Sequence, residues 1–150
     1  MPSLPMLING KKVVIGPSAH LRNADLSYAD LSYADLRNAK NIPEWAAART
    51  SIVPGEGSFV GWKKCKNDVI VKLIIGKTAK RSNATGRKCR AERVKVLEVF
   101  GAEAGFSIYD RKTEYRKGAI VACDTWNEDR WAECGGGIHF YLTRIEAENN

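Results

Sequence analysis

Between residues 19 and 39 the small and large apolar positions recur every five residues. Ala19, Ala24, Ala29, Ala34 and Ala39 form one column, and Leu21, Leu26, Leu31 and Leu36 form another. Helices repeat apolar positions at spacings of three and four, and strands at two, so neither element fits. On a helix, successive leucines would drift around the axis by roughly 140°. A five-residue period suits a chain that turns a corner at each repeat and sends one small and one large side chain inward. The four complete repeats suffice for one four-sided coil. A single coil leaves its inward column uncovered above and below. It therefore needs the rest of the chain, or a second copy, against its faces.

The flanking pattern is different. Met6 to Ile15 predicts a strand or hairpin turning at Asn9-Gly10. Asn41 to Trp45 ends the coil, and Ala46 to Thr50 predicts a brief helical turn. Pro54-Gly55-Glu56-Gly57-Ser58 reads as a connector, which places the first part at 1–53 and the second at 59–150. Beyond it the period is two. Strands are predicted at Phe59–Lys63, Val69–Ile75, Val94–Val99, Phe106–Tyr109, Ala119–Cys123 and Ile138–Leu142, with a polar turn at Lys66-Asn67-Asp68. Thr143, with Glu146 three residues on, is a capping box that starts a short C-terminal helix.

The four A-x-L-x-x units resemble the pentapeptide-repeat family, whose repeats wind a right-handed quadrilateral β-helix with one repeat per side. Together these readings give an α+β class. One N-terminal coil of such a β-helix would pack on a mostly antiparallel, β-rich C-terminal domain that ends in a short helix.

Charge sharpens the picture. The 150-residue chain carries a net charge of +7. Residues 61–100 hold twelve cations against three carboxylates, whereas residues 101–150 are net acidic. Some larger pentapeptide-repeat proteins imitate DNA with a long acidic rod; a single coil on a basic chain does not fit that role. No apolar run is long enough to span a bilayer, and Met1–Met6 lacks the pattern of a signal peptide, so a cytosolic location without membrane partners is expected. Cys65, Cys89, Cys123 and Cys134 have no C-x-x-C pair and are expected as buried thiols, with no metal and no cofactor.

The strongest candidate for chemistry is the tract Ala79–Glu92. It reads as a polar loop with small residues at its centre and cations on both sides. Ser82, Asn83, Thr85 and Gly86 offer backbone N–H groups to an anion. Arg81, Arg87, Lys88 and Arg90 supply charge and, for the arginines, two-pronged hydrogen bonds to phosphate. The spacing is not that of a P-loop. Lys63-Lys64-Cys65-Lys66 reads as a solvated turn. Three glycines, Gly135 to Gly137, precede an apolar strand bearing His139, which joins the ligand-binding set. Trp126 and Trp131 are expected as packing residues, and no nucleophile–base pair is evident for catalysis.

Residues from about 61 to 147 also resemble an uncharacterised domain that follows pentapeptide repeats in phage and bacterial proteins. The resemblance rests on Ala84–Glu92, Tyr115, Lys117-Gly118, Cys134–Phe140 and Thr143-Arg144. It implies a phage accessory protein acting in the host cytoplasm, with no activity attached. The expected function is non-enzymatic recognition of a phosphate-bearing ligand, nucleotide or nucleic acid, in a role against host defence that includes a host defence protein as a partner. Two alternatives remain. Gly135–Phe140 is similar to the G-x-G-I-Y-F stretch of ADP-ribosyltransferases, with His139 in place of the tyrosine, which implies an enzyme acting on the nicotinamide dinucleotide. The coil could instead serve as an oligomerisation surface.

Overall fold

The computed structural model describes residues 4–8, 11–15, 35–37, 42 and 44–150. The Asn9-Gly10 turn, most of the five-residue repeats and the end of the coil before residue 44 lie outside them. Among the repeats, Leu36 is fully buried, as its column requires, and Asp35 accepts hydrogen bonds from the backbone N–H and guanidinium of Arg37.

Two compact units divide the chain. The first comprises Met1–Ile52, Asn83–Arg87 and Asn127–Gly135. The second comprises Val53–Ser82, Lys88–Trp126 and Gly136–Asn150. In the first, strands β1 (Leu4–Ile8) and β2 (Lys11–Ile15) pair antiparallel, with Ile8 opposite Lys11. Helix α1 (Glu44–Thr50) follows. Asn83 organises the end of α1. Its amide donates to the Thr50 and Gly86 carbonyls and accepts from the Ile52 N–H, so a 1% exposed polar group is fully used. Arg130 donates to the Asn83 carbonyl at 3.0 Å and stacks on Trp131.

The second unit is built on a four-stranded antiparallel sheet. Its strands are β3 (Phe59–Lys64), β4 (Ile70–Ile75), β7 (Arg93–Phe100) and β10 (Ile120–Ala122), in the order β10-β7-β4-β3. Val71, Leu73 and Ile75 bury one face of β4, and Val94 and Val96 of β7 lie against the same core. Lys72 opposes Glu98 but Leu73 opposes Val96, so Leu97 is an extra residue that bulges β7. A smaller sheet orders β11 (Ile138–Phe140), β6 (Cys89–Ala91) and β5 (Arg81–Asn83). Strands β8 (Ala104–Phe106) and β9 (Glu114–Arg116) pair separately. The first sheet meets β11 through Trp62 and Tyr141, which exchange backbone hydrogen bonds of 2.7 and 2.8 Å.

Helix α2 (Arg144–Glu148) starts as its capping box predicts. Thr143 Oγ1 accepts from the Glu146 N–H and donates to the Glu146 carboxylate. The tract read as a polar loop departs from expectation, because β5 and β6 lie inside it. Residues from Ser82 to Gly86 and from Cys89 to Ala91 are buried. Polar side chains hid this burial, since hydrogen bonds to carbonyls replace apolar packing there. The strand predicted at Phe106–Tyr109 lies instead at Ala104–Phe106 and shares only Phe106 with it, and β9 was not foreseen. Cys65 and Cys89 are buried, whereas Cys134 is exposed, against the expectation for all four.

A candidate ligand-binding site around Lys63

Strand β3 places Gly61, Lys63 and Cys65 on one face, and all three are buried. The Lys63 ammonium is the unusual member, at 7% exposure. Its Nζ donates to the His139 carbonyl at 2.9 Å. The rings of Tyr109 and Tyr115 lie about 6 Å from it, at the limit of a useful cation–π contact. An ammonium has three donors, and the other two have no partner among the described residues. Burial pulls its pKa down from 10.5 to about 8, a shift the Lys88 charge reinforces and Asp110 opposes. Burial also pushes the Cys65 thiol up to about 11, and holds the Tyr115 hydroxyl above its ordinary value. Asp110 is held down at about 2 by hydrogen bonds from Thr113 and from the Lys112 backbone, so it acts as a turn cap.

Two cavities of the second unit adjoin Lys63. The larger, of about 300 Å³, is bordered by Lys63, Ser107, Tyr109, Tyr115, Asp124 and His139, with Gly136 and Gly137 on its rim. The smaller, of about 230 Å³, is bordered by Lys63, Lys64, Lys88, Tyr109, His139 and Phe140. Lys63, Tyr109 and His139 thus form a shared wall. No Asp or Glu side chain borders the smaller cavity. Tyr109 is 72% exposed, packs edge-on against His139 at 6.1 Å, and accepts a hydrogen bond from Lys88 at 3.4 Å. Gly137 lets the backbone pass close to Trp126 and Arg90, because a Cβ there would sit 3.0 and 3.1 Å from them.

The sequence-predicted site residues separate. Lys88 and His139 come together at the smaller cavity. Arg81 is committed to structure, since its guanidinium donates to the carbonyls of Gly57, Gly76 and Ala79. Arg90 is 1% exposed, donates to the Gly136 carbonyl at 2.8 Å and stacks on Trp126. The Ser82 hydroxyl is buried without a hydrogen-bond partner among the described residues. Thr85 and Gly86 are buried and Arg87 is exposed, all three in the first unit. Lys63 was read as a solvated turn residue, and the structure overturns that. The missed signal was its parity with Gly61 and Cys65, which places the cation in an inward column. Among the described residues, no three His, Cys, Asp or Glu side chains gather to hold a metal, and no helix is long and apolar enough to cross a membrane.

This arrangement, a β-rich domain preceded by short repeats, agrees with the family comparisons. Residues 17–40 match pentapeptide repeats. Residues 49–147 match DUF5758, a family of unknown function, and the chain belongs to that family. No curated protein and no solved structure matches the chain.

Proposed function

We propose that the second unit is a non-enzymatic binding module for a small phosphate-bearing ligand, with a nucleotide as the leading class. The observation that carries this reading is Lys63, a buried cation with two donors that the described residues do not satisfy. A buried charge of this kind is costly unless something of opposite sign answers it. An oxyanion at the shared wall would accept from those donors and offset the charge. Lys64 and Lys88 add two further cations at the smaller cavity, and the exposed ring of Tyr109 offers a face on which a base can stack. Cavities of this size suit a small ligand better than a nucleic-acid backbone. Of the predicted set, Lys88 and His139 are retained as ligand contacts; Arg81 and Arg90 act through the fold.

The setting we propose is the one the family resemblance implies: a phage-encoded protein in the host cytoplasm that removes a nucleotide signal of host defence. The repeats at 17–40 would wind one four-sided coil. Titration calorimetry with a panel of nucleoside mono- and diphosphates tests the binding. The expected result is saturable binding that Lys63→Met and Lys88→Met each weaken at least about tenfold. Binding should depend only weakly on salt, unlike that of a nucleic acid held through many phosphates. Absence of binding at low salt, or binding indifferent to both substitutions, contradicts the proposal. Consumption of the nicotinamide dinucleotide would instead favour the transferase alternative.

A further inference from the structure

We infer that the ligand is a phosphorylated sugar, held with its phosphate at the lysine-bordered cavity and its hydroxyls in the larger cavity across the Lys63–Tyr109–His139 wall. This rests on the binding reading above and names its ligand class.

The two cavities differ in chemistry although they share that wall. The smaller has three lysines and no Asp or Glu side chain on its border. The larger has Asp110 and Asp124 on its border, which repel a second phosphate. It also presents groups with hydrogen-bonding capacity that the described residues leave unused. Tyr115 is 2% exposed, and its hydroxyl has no partner among the described residues. Ser107 is 6% exposed; its Oγ accepts from the Tyr109 N–H at 3.3 Å, while its own proton has no acceptor among the described residues. The Asp110 carboxylate is already occupied by Lys112 and Thr113, so Asp124 is the acceptor that remains. Two hydroxyl donors beside one carboxylate acceptor suit sugar hydroxyls, which both donate and accept. A purely apolar group would make none of these hydrogen bonds.

Calorimetry with inorganic phosphate, ribose and a ribose monophosphate tests this on the full chain. The ribose monophosphate should bind about tenfold or more tighter than inorganic phosphate. Tyr115→Phe and Asp124→Asn should each weaken the ribose monophosphate about three- to tenfold and leave inorganic phosphate unchanged. Asp124 is exposed, so its variant keeps the fold if Tyr115→Phe proves unstable by thermal melting. Equal affinity for the two phosphates, or loss of both in the Asp124 variant, overturns the sugar assignment while leaving the anion reading standing. Failure of every phosphate to bind overturns both.

Discussion

Lys63 illustrates how one residue trades stability for a binding capacity. Its ammonium is buried and poorly answered, so an apolar residue of similar length should be better tolerated by the fold. Lys63→Met is expected to stabilise the protein by roughly 1–3 kcal/mol near pH 7, read by urea unfolding. The sign with pH follows from the lowered pKa. Below about 8 the side chain is charged in both folded and unfolded chains, and its full cost is present. Between about 8 and 10.5 the folded state releases the proton while the unfolded state keeps it, so stability rises with pH. The stability gap between Lys63→Met and the parent should therefore close across that window. Two of the groups that act on it, Asp110 at about 2 and Cys65 at about 11, change charge outside it. The lysine's identity was plain in the sequence, but its inward direction was not. A basic cluster next to a turn normally faces water, and only strand parity distinguishes Lys63 from Lys64.

At the scale of the element, β3 is shaped by what crosses it. A Cβ at Gly61 would lie 2.5 Å from the ring of Phe140 on β11. Gly61→Ala should therefore cost about 1–3 kcal/mol by overpacking, seen as a lower melting temperature. Gly55, with nothing within 4 Å of its Cβ position, is the matched control, and Gly55→Ala should change stability by less than about 0.5 kcal/mol. Strands β3, β4, β7, β10 and β11 were legible because apolar side chains alternate along them. The near-alternation of Val94 to Val99 breaks at Leu97, where the bulge lies. Strands β5 and β6 were illegible for a physical reason. Asn83 and Arg90 are buried there through hydrogen bonds to carbonyls, and Ser82 by packing alone, so a hydropathy pattern reads them as a loop. Arg81 and Arg90, two of the arginines meant for an anion, thus serve the backbone, and Trp126 packs on Arg90.

At the scale of the whole molecule, the chain contributes to the first unit three times. The connector at 54–58 looked like a boundary by composition, yet residues beyond it bond back to α1. Asn83 bonds to Thr50 and Ile52, and Arg130 to Ser51. A fragment beginning at residue 59 loses those partners and leaves the Asn83 amide with only its bonds to the Ala84 and Gly86 carbonyls, at about 1–3 kcal/mol for each lost bond. It should melt well below a fragment beginning at residue 41, as differential scanning calorimetry would show. The repeats and the family of the second part were legible from short motifs, whereas the cavities were not, because they assemble β3, β11 and the segment from 107 to 125 from distant stretches of chain. The central claim is that the Lys63 ammonium answers an anion. The measurement that meets it most directly is the calorimetric affinity for a ribose monophosphate, taken with the parent and with Lys63→Met at about pH 7 and about pH 10. The account predicts that the parent binds at the lower pH and at least about tenfold more weakly at the higher, while the variant is at least about tenfold weaker than the parent at the lower pH. Equal binding by parent and variant, or parent affinity that does not fall with pH, would contradict it.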